Sequence, residues 1–222
     1  RPVAQRPGAS DAHDDVADRV TPRVAVIRQL LAAAGEKPLQ VRHPPVIDVR
    51  IPTEELDLSA MRDVDIDPVH WTGTAQGGAT AGEYTTAAAQ HGFATPFGDS
   101  ASVGLGGLTL GGGVGWLTRK HGMTIDNLLA VDLVTADGEL HTVTEASDTD
   151  LFWALRGGGG NFGIATRFRY RLHPVSVVTG GALFLPLTSK VLRDLVEVSL
   201  AAPEELTQIT VVMGLPPAPF VP

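Results

Sequence analysis

Glycines are concentrated in two stretches of this 222-residue chain, and their clustering is the first feature that could serve chemistry. One stretch runs from Gly98 to Gly115 and includes GGLTLGGGVG, and the other runs from Gly157 to Gly163 as GGGGNFG. Because glycine has no β-carbon, a ligand can approach the backbone closely, and successive amides can converge on an anion. Two such loops beside predicted strands favour an anion-binding role over simple flexibility.

The common phosphate-binding and hydrolase motifs do not fit these loops. The chain contains no G-x-x-x-x-G-K-[ST] sequence, which excludes a P-loop. The segment Gly158–Gly163 matches G-x-G-x-x-G, but it follows a predicted helix and opens a strand, whereas the dinucleotide fingerprint needs the reverse order. GDSAS, which begins at Gly98, lacks the last glycine of a nucleophile elbow. A serine hydrolase is therefore not expected.

Other reactive side chains are scarce or scattered. The chain has no cysteine, so disulfides, thiolate metal sites, cysteine nucleophiles and cysteinyl cofactor links are excluded. Its seven histidines occur singly and without metal-ligand spacing, which predicts surface or loop histidines and no metal site. Arg119 and Lys120 could neutralise a phosphate, although solvent exposure is the commoner role of such a pair.

Charge and hydropathy narrow the choice of partners. The 17 basic and 25 acidic residues give a net charge of −8, with no basic block that could follow a phosphate backbone. No apolar run reaches the roughly 18 residues that span a bilayer, and no signal-peptide pattern opens the chain. We therefore expect no nucleic acid partner, no membrane partner and a cytoplasmic location.

Patterns in the first half of the chain predict alternating strands and helices. Residues 1–20 have no periodicity and predict a poorly ordered lead-in. A helix is predicted from Pro22 to Gly35, followed by short strands in PLQVR and VIDVRI. Thr80 and Glu83 have the spacing of a capping box, which predicts a helix that runs to about Gln90.

The second half predicts a hairpin, a short helix and a half-exposed strand. Asp137-Gly138 lies between two alternating segments and predicts an antiparallel hairpin. Ser147 and Asp150 predict a capping box for a helix through LFWAL that ends at Gly157. From Ile164 onwards aromatic and apolar residues alternate with arginines, as in a strand with one buried face. Beyond Pro174 a capped helix is predicted around residues 190–200, with a strand in TQITVVMG.

Three segments in a fixed order resemble a known family. They are QGGATAGEY, HGFATPFGDSASVGLGGLTLGGGVGWLTRKHGMTIDNLLAVDLVTADGEL and DLFWALRGGGGNFGIATRFRYRLHP. Over roughly residues 22–175 the chain is similar to FAD-linked oxidases of the vanillyl-alcohol oxidase and p-cresol methylhydroxylase superfamily, in the branch of berberine bridge enzyme-like and 6-hydroxynicotine oxidase-like proteins.

The resemblance implies an α+β fold, namely a two-subdomain FAD-binding domain of the p-cresol methylhydroxylase type. That domain is expected over residues 21–175, with subdomains at about 21–60 and 61–175. Residues 176–222 are expected to begin an α+β substrate domain. In such proteins the glycine-rich backbone lies along an extended FAD, where side chains would collide with the cofactor. The resemblance assigns no catalytic residue in this chain.

Cofactor contact is carried over by resemblance onto positions in all three segments. They are Gly77, Gly78, Ala79, Gly98, Ser100, Ala101, Gly104, Gly107, Leu108, Gly111, Gly112, Gly159, Asn161, Gly163 and Ile164.

The sequence also departs from the family pattern. Members of the family usually carry a G-G-G-H-S-like loop whose histidine is often bonded to the flavin, but here Arg42 leads directly into His43-Pro44-Pro45. Prolines donate no amide hydrogen, so this segment cannot form the same anion nest. Ser100 stands where bicovalent members have a cysteine. These differences imply noncovalent FAD.

The resemblance implies an FAD-dependent oxidoreductase that takes a hydride from a small organic substrate and passes electrons to dioxygen. Two alternatives remain open from the residues. The glycine-free segment from His43 to Ala60 favours a non-catalytic or decayed paralogue that no longer holds flavin. A flavin reductase with a nicotinamide donor is disfavoured, because GLTLGGGVGWLTRKHG fits the oxidase branch better.

Overall fold

The computed structural model describes residues 40–42, 55–175 and 177–212. The predicted lead-in, the first helix, the VIDVRI strand and the His43-Pro44-Pro45 link lie outside these residues. Within them, the end of the PLQVR strand is confirmed as β1 (Gln40–Arg42), which pairs antiparallel with β2 (Glu55–Asp57).

A five-stranded antiparallel sheet forms the centre of the described region. Its strands are β3 (Val64–Asp67), β4 (Thr72–Gln76), β6 (Leu128–Val134), β7 (Leu140–Val143) and β8 (Ile164–Arg171), in the order β3-β4-β8-β6-β7. β6 and β7 are the hairpin predicted at Asp137-Gly138. The last strand in sequence, β8, lies between β4 and β6 and so joins the two halves of the sheet. A separate pair, β5 (Phe93–Ala94) and β9 (His173–Pro174), is also antiparallel.

The alternation of buried and exposed side chains predicted for β8 is confirmed. Phe168 and Tyr170 are fully buried, whereas the arginines between them are exposed. The Tyr170 ring packs edge-to-face against Phe97 and against Tyr84, at centroid distances of 5.3 and 5.5 Å. This aromatic cluster fixes the helix that carries Tyr84 against the centre of the sheet.

The described residues before Pro174 include four helices: α1 (Ala81–Ala89), α2 (Leu105–Leu110), α3 (Thr118–His121) and α4 (Thr149–Gly158). The capping box at α1 is confirmed, because Thr80 Oγ1 accepts from the Glu83 amide and Glu83 accepts from the Thr80 amide. Short 3-10 turns occupy Thr124–Asn127 and Gly159–Phe162.

The predicted cap of α4 is wrong by one residue. Asp148, not Ser147, accepts the Leu151 amide at 3.0 Å. The Ser147 hydroxyl is instead bonded to Thr144 in the turn before the helix, so it is not available to cap. The predicted end near Gly157 is confirmed, since Gly157 has a φ of +126° and the regular turns stop before it.

The segment after Pro174 contains the predicted helix but not the predicted strand. Helix α5 (Ser189–Ala201) begins after Thr188, whose hydroxyl accepts the Val191 amide at 3.2 Å. Residues 207–212 form no strand, which corrects the prediction for the described part of TQITVVMG. A strand requires a paired neighbour, and no strand of the described residues pairs with this segment. None of the described helices is long and apolar enough to cross a membrane.

Candidate functional site

The first glycine segment, Gly77–Ala79, joins β4 to α1, and hydrogen bonds from its backbone amides hold it in place. The Gly77 amide donates to the Thr166 carbonyl at 2.8 Å, and the Gly78 amide donates to the Met61 carbonyl at 2.9 Å. A β-carbon on Gly77 would collide with the Ala165 carbonyl oxygen. These glycines let neighbouring backbones approach closely, so the fold itself requires them.

The second segment, Gly98–Gly112, is fastened along the start of α1. The Gly82 amide donates to the Ala101 carbonyl, and the Ala81 amide donates to the Val103 carbonyl, both at 2.9 Å. The Leu105 amide in turn donates to the Ala79 carbonyl at 2.8 Å. The first and second segments therefore lie side by side, as a joint site requires.

A strip of bare backbone begins where this segment enters α2. Gly104 and Gly107 are exposed, and no atom of the described chain lies within 4 Å of the position that a β-carbon would take at either residue. The first amides of a helix have no carbonyl partner within that helix. Among the described residues, the amides of Gly106 and Gly107 have no hydrogen-bond partner. The strip therefore combines free amide donors with space for a ligand.

The remaining predicted residues of the second segment serve the fold in different ways. The Gly111 and Gly112 amides donate to the Gly107 and Thr109 carbonyls at 3.0 and 3.1 Å. Gly112 also has a φ of +114°, which side chains rarely adopt. The Leu108 side chain packs on the core near Gly98. These groups shape the loop around the bare strip.

Ser100 is exposed at the start of the second segment. Its hydroxyl lies 3.2 Å from the Ser102 hydroxyl. A serine oxygen cannot form the thioether that a cysteine forms with flavin, so this position offers polar contact only.

The third segment runs from the end of α4 into β8. Gly159 has a φ of +64°, and no described atom lies within 4 Å of its β-carbon position. Asn161 is exposed, and its side-chain amide donates to the Gly158 carbonyl at 2.6 Å. Gly163 has a φ of +149°, and a β-carbon there would collide with the Val134 carbonyl oxygen. Ile164 then opens β8 opposite Val134.

The three segments meet around α2. This helix contacts both α4 and the 3-10 turn Gly159–Phe162, and a β-carbon on Gly106 would lie 3.2 Å from the Gly77 carbonyl oxygen. The fold thus brings together predicted positions that are separated by more than eighty residues in the sequence. The surface at this meeting point includes exposed backbone at Gly104 and Gly107 and half-buried backbone at Gly159, and none of the three has a described atom within 4 Å of its β-carbon position. This bare backbone fits a long anionic ligand better than it fits packing within the chain.

Arg119 and Lys120, the basic pair beside the glycine stretch, are both exposed, as the sequence predicts, and both also contact the segment after α5. The Arg119 guanidinium donates to the carbonyls of Ala202 and Leu206, each at 2.9 Å. Lys120 Nζ lies 3.2 Å from Glu205 Oε1. Both side chains are therefore engaged with the segment after α5.

Two histidines that are isolated in the sequence are stacked in the structure. The rings of His121 and His173 have centroids 4.0 Å apart and an interplanar angle of 19°. His173 Nε2 lies 2.6 Å from Asn127 Oδ1, while the Asn127 side-chain amide donates to the His121 and Met123 carbonyls. Burial lowers the pKa of His173 to about 4, with smaller contributions from His121 and Arg171.

Burial also lowers the pKa of His121, with Lys120 acting in the same direction. The pKa shifts of both histidines favour the neutral form of the pair. No group of three metal-ligating side chains occurs among the described residues. Sequence patterns gave no sign of this pair, because the β5–β9 pairing that places His173 joins residues about eighty positions apart.

Comparison with known proteins shows which domain this part of the chain is similar to. Residues 52–144 match the family model for an FAD binding domain. The chain is 46% identical over 129 residues to an FAD-linked oxidoreductase, pgmH, of Aspergillus terreus, covering 58% of this chain and 26% of that protein. It is 37% identical over 137 residues to (R)-6-hydroxynicotine oxidase of Paenarthrobacter nicotinovorans, covering 61% of this chain and 30% of that protein.

Solved structures agree with the sequence matches. Xylooligosaccharide oxidase of Myceliophthora thermophila C1 matches with 40% identity and a TM-score of 0.52, over 53% of this chain and 25% of that one. The 6-hydroxy-D-nicotine oxidase of Arthrobacter nicotinovorans matches with 38% identity and a TM-score of 0.51, over 52% of this chain and 26% of that one. The chain spans between a quarter and a third of the length of the curated relatives described here.

The fold and the matches together define an FAD-binding domain of an α+β type. The described fold and the matched residues are similar to those of FAD-linked oxidoreductases of the vanillyl-alcohol oxidase and p-cresol methylhydroxylase superfamily, among relatives that include 6-hydroxynicotine oxidase. The predicted family, fold class and cofactor are confirmed. The individual cofactor contacts and the division into subdomains stay predictions.

Proposed function

We propose that the protein is an FAD-dependent oxidoreductase that oxidises a small organic substrate by hydride transfer to the flavin, with dioxygen as electron acceptor. The observation that carries this proposal is the bare strip at the start of α2, where Gly104 and Gly107 leave open space and two neighbouring amides have no partner in the described chain. A side chain at either glycine would fill the space that a ligand needs.

The residues of the strip have the chemistry that an anionic cofactor requires. Backbone amides at the first turn of a helix and in adjoining loops are donors to phosphate oxygens. In this proposal the Gly106 and Gly107 amides bind the pyrophosphate of FAD, and the open backbone at Gly159 borders the same cofactor. FAD would supply the two-electron redox chemistry, and the chain binds and orients it.

Names of relatives support the oxidase reaction without agreeing on a substrate. One matched protein is a 6-hydroxynicotine oxidase and another is a xylooligosaccharide oxidase. A nitrogen heterocycle and an oligosaccharide share little beyond an oxidisable C–H bond. We therefore propose the reaction type and the acceptor, and no individual substrate, since fold does not determine substrate.

We also propose that the domain organisation follows these relatives. Residues 21–175 would form the FAD-binding domain, with subdomains at about 21–60 and 61–175. Residues 176–222 would begin a substrate domain. The exposed helix α5, which buries no side chain among the described residues, supports this division because a first element of a further domain would need additional chain to pack on it.

The visible absorption spectrum of the purified protein tests the proposal. We expect a flavin spectrum, either as purified or after incubation with FAD, and release of the flavin into the supernatant on acid precipitation. Release by acid would establish the noncovalent attachment that the sequence predicts. A protein that stays colourless after incubation with FAD would overturn the proposed function.

Oxygen uptake then tests the acceptor. The flavoprotein is reduced with dithionite under nitrogen and mixed with air-saturated buffer. We expect flavin absorbance to return as oxygen is consumed. Reoxidation no faster than that of free reduced FAD would contradict dioxygen as the acceptor while leaving the flavin site intact.

A further inference from the structure

Helix α3 carries two consecutive basic residues, Arg119 and Lys120, that contact the chain just after α5. Arg119 donates one hydrogen bond to Ala202 and one to Leu206, both to carbonyl oxygens at 2.9 Å. Lys120 pairs with Glu205 at 3.2 Å. The contacts join parts of the chain that are 83 to 87 residues apart in sequence.

The chemistry of these contacts suits the end of a helix. The last carbonyls of a helix have no amide partner within it, and they carry partial negative charge. Ala202 directly follows the last residue of α5, and a turn closes when the Leu206 amide donates to the Pro203 carbonyl at 3.0 Å. The guanidinium fork therefore holds the carbonyls on both sides of this turn.

Burial contributes little to holding α5 in place, since its most buried residues, Val191, Leu195 and Ser199, are only half-buried. The helix has no buried residue, and its one recorded ion pair, between Lys190 and Asp194, lies within the helix. Hydrophobic burial is the usual source of docking energy, so an exposed helix needs polar contacts to keep one position. The Arg119 and Lys120 contacts are the polar contacts that the structure offers.

Helix α3 is itself fixed to the second glycine segment. The Gly115 amide donates to Thr118 Oγ1 at 2.9 Å, at the start of α3. Immediately after α3, the Thr124 and Ile125 amides donate to the Gly113 and Gly112 carbonyls at 2.9 and 3.0 Å. The end of α5 is therefore connected, through α3, to the loop that forms the candidate cofactor site.

We propose that Arg119 is a positioning residue, which docks the end of α5 on α3 and so sets the first helix of the following domain relative to the glycine loop. Lys120 supports the same contact through Glu205. The inference rests on the proposed function in one respect, namely that the segment after Pro174 begins a substrate domain. The docking contact can be tested without flavin or substrate.

Hydrogen exchange measured by mass spectrometry on the cofactor-free protein tests the proposal. In Arg119→Ala we expect amides within residues 189–206 to exchange about tenfold faster or more, because two charge-assisted hydrogen bonds are lost. Peptides from β6 and β8 should keep their wild-type rates. Arg193→Ala is the matched control, since Arg193 is an exposed arginine on α5 itself.

Conservative and charge-reversal variants separate positioning from general stabilisation. Arg119→Lys should recover part of the protection, because lysine keeps the charge but not the planar fork. Lys120→Glu should speed exchange in residues 189–206, and adding Glu205→Lys should restore it. Unchanged exchange in Arg119→Ala would overturn the proposal, and so would equal acceleration in β6 and β8, which would mean loss of the whole fold. Failure to bind FAD would overturn the proposed function and leave this result standing.

Discussion

The glycines of the three segments divide into two groups according to what a β-carbon would meet. At Gly77, Gly78 and Gly163 it would collide with a backbone carbonyl of the chain itself. At Gly104 and Gly107 it would meet no described atom within 4 Å. The first group is needed for folding, and the second group has no packing role in the described structure. A ligand that approaches the backbone explains the second group.

Substitution in the packing group should destabilise the fold. In Gly78→Ala the new methyl group would collide with the Leu58 carbonyl, and the Met61 carbonyl lies 3.0 Å away. We expect the free energy of unfolding to fall by about 1–3 kcal/mol, as for other forced core overpacking. Urea unfolding followed by circular dichroism measures it. Gly104→Ala serves as the control and should change stability by less than about 0.5 kcal/mol; equal losses in the two variants would contradict the division.

The stacked histidines predict a pH dependence of stability. In the folded protein the pKa of His173 is about 4, whereas its ordinary value is 6.5. Between these two pH values the unfolded state binds more protons than the folded state. The contribution of His173 to the free energy of unfolding is therefore fully present above pH 6.5 and is lost as the pH falls from 6.5 to 4.

Replacing His173 should therefore flatten this dependence. Because the ring is partly exposed, we expect His173→Gln to reduce the loss of stability between pH 7 and pH 4.5 by only about 1 kcal/mol. Burial also lowers the pKa of His121, so part of the slope should remain. Urea unfolding at several pH values measures the slope, with the exposed His91→Gln as control. Identical slopes in His173→Gln and wild type would contradict the account.

At the scale of elements, the N-cap of α4 can be tested directly. The structure places it at Asp148, whereas the sequence predicted Ser147. Asp148→Ala should destabilise the protein by about 1 kcal/mol, because the Leu151 amide loses its acceptor. Asp148→Asn should retain most of the stability, since asparagine also caps well. Asp150→Ala removes a carboxylate from the same turn without removing the cap. A larger loss in Asp150→Ala than in Asp148→Ala would show the assignment to be wrong.

Elements encoded by local patterns were predictable from the sequence. The Thr80 to Glu83 spacing placed α1, Asp137-Gly138 placed the β6–β7 hairpin, and alternation placed β8. The N-cap of α4 was wrongly predicted at Ser147 for a local reason. The Ser147 hydroxyl is bonded to Thr144, and the neighbouring carboxylate of Asp148 accepts the Leu151 amide instead. The prediction of a strand in TQITVVMG was wrong, because a strand needs a neighbouring strand to hydrogen-bond with, and an apolar run does not specify one.

At the scale of the whole molecule, the site depends on contacts that the residues alone do not reveal. Local patterns marked the glycine stretches as anion-binding loops, but the meeting of three segments around α2 requires β8 to insert between β4 and β6. Only the resemblance to a known family predicted that these segments share one cofactor. The His121–His173 stack and the Arg119 contacts join distant residues and had no sequence signal at all.

The affinity for FAD of a variant that fills the bare strip tests the central claim most directly. Gly107→Leu places a side chain in the open space, and Gly180→Leu is the control, because Gly180 also has no described atom near its β-carbon position but lies outside the three segments.

Flavin fluorescence titration gives the Kd, and urea unfolding confirms that each variant is folded. We expect both variants to keep wild-type stability within about 0.5 kcal/mol. We expect the Kd for FAD to rise at least tenfold, equivalent to about 1.4 kcal/mol, in Gly107→Leu only. If Gly107→Leu folds and binds FAD as tightly as wild type and Gly180→Leu do, the strip at the start of α2 is not the cofactor site.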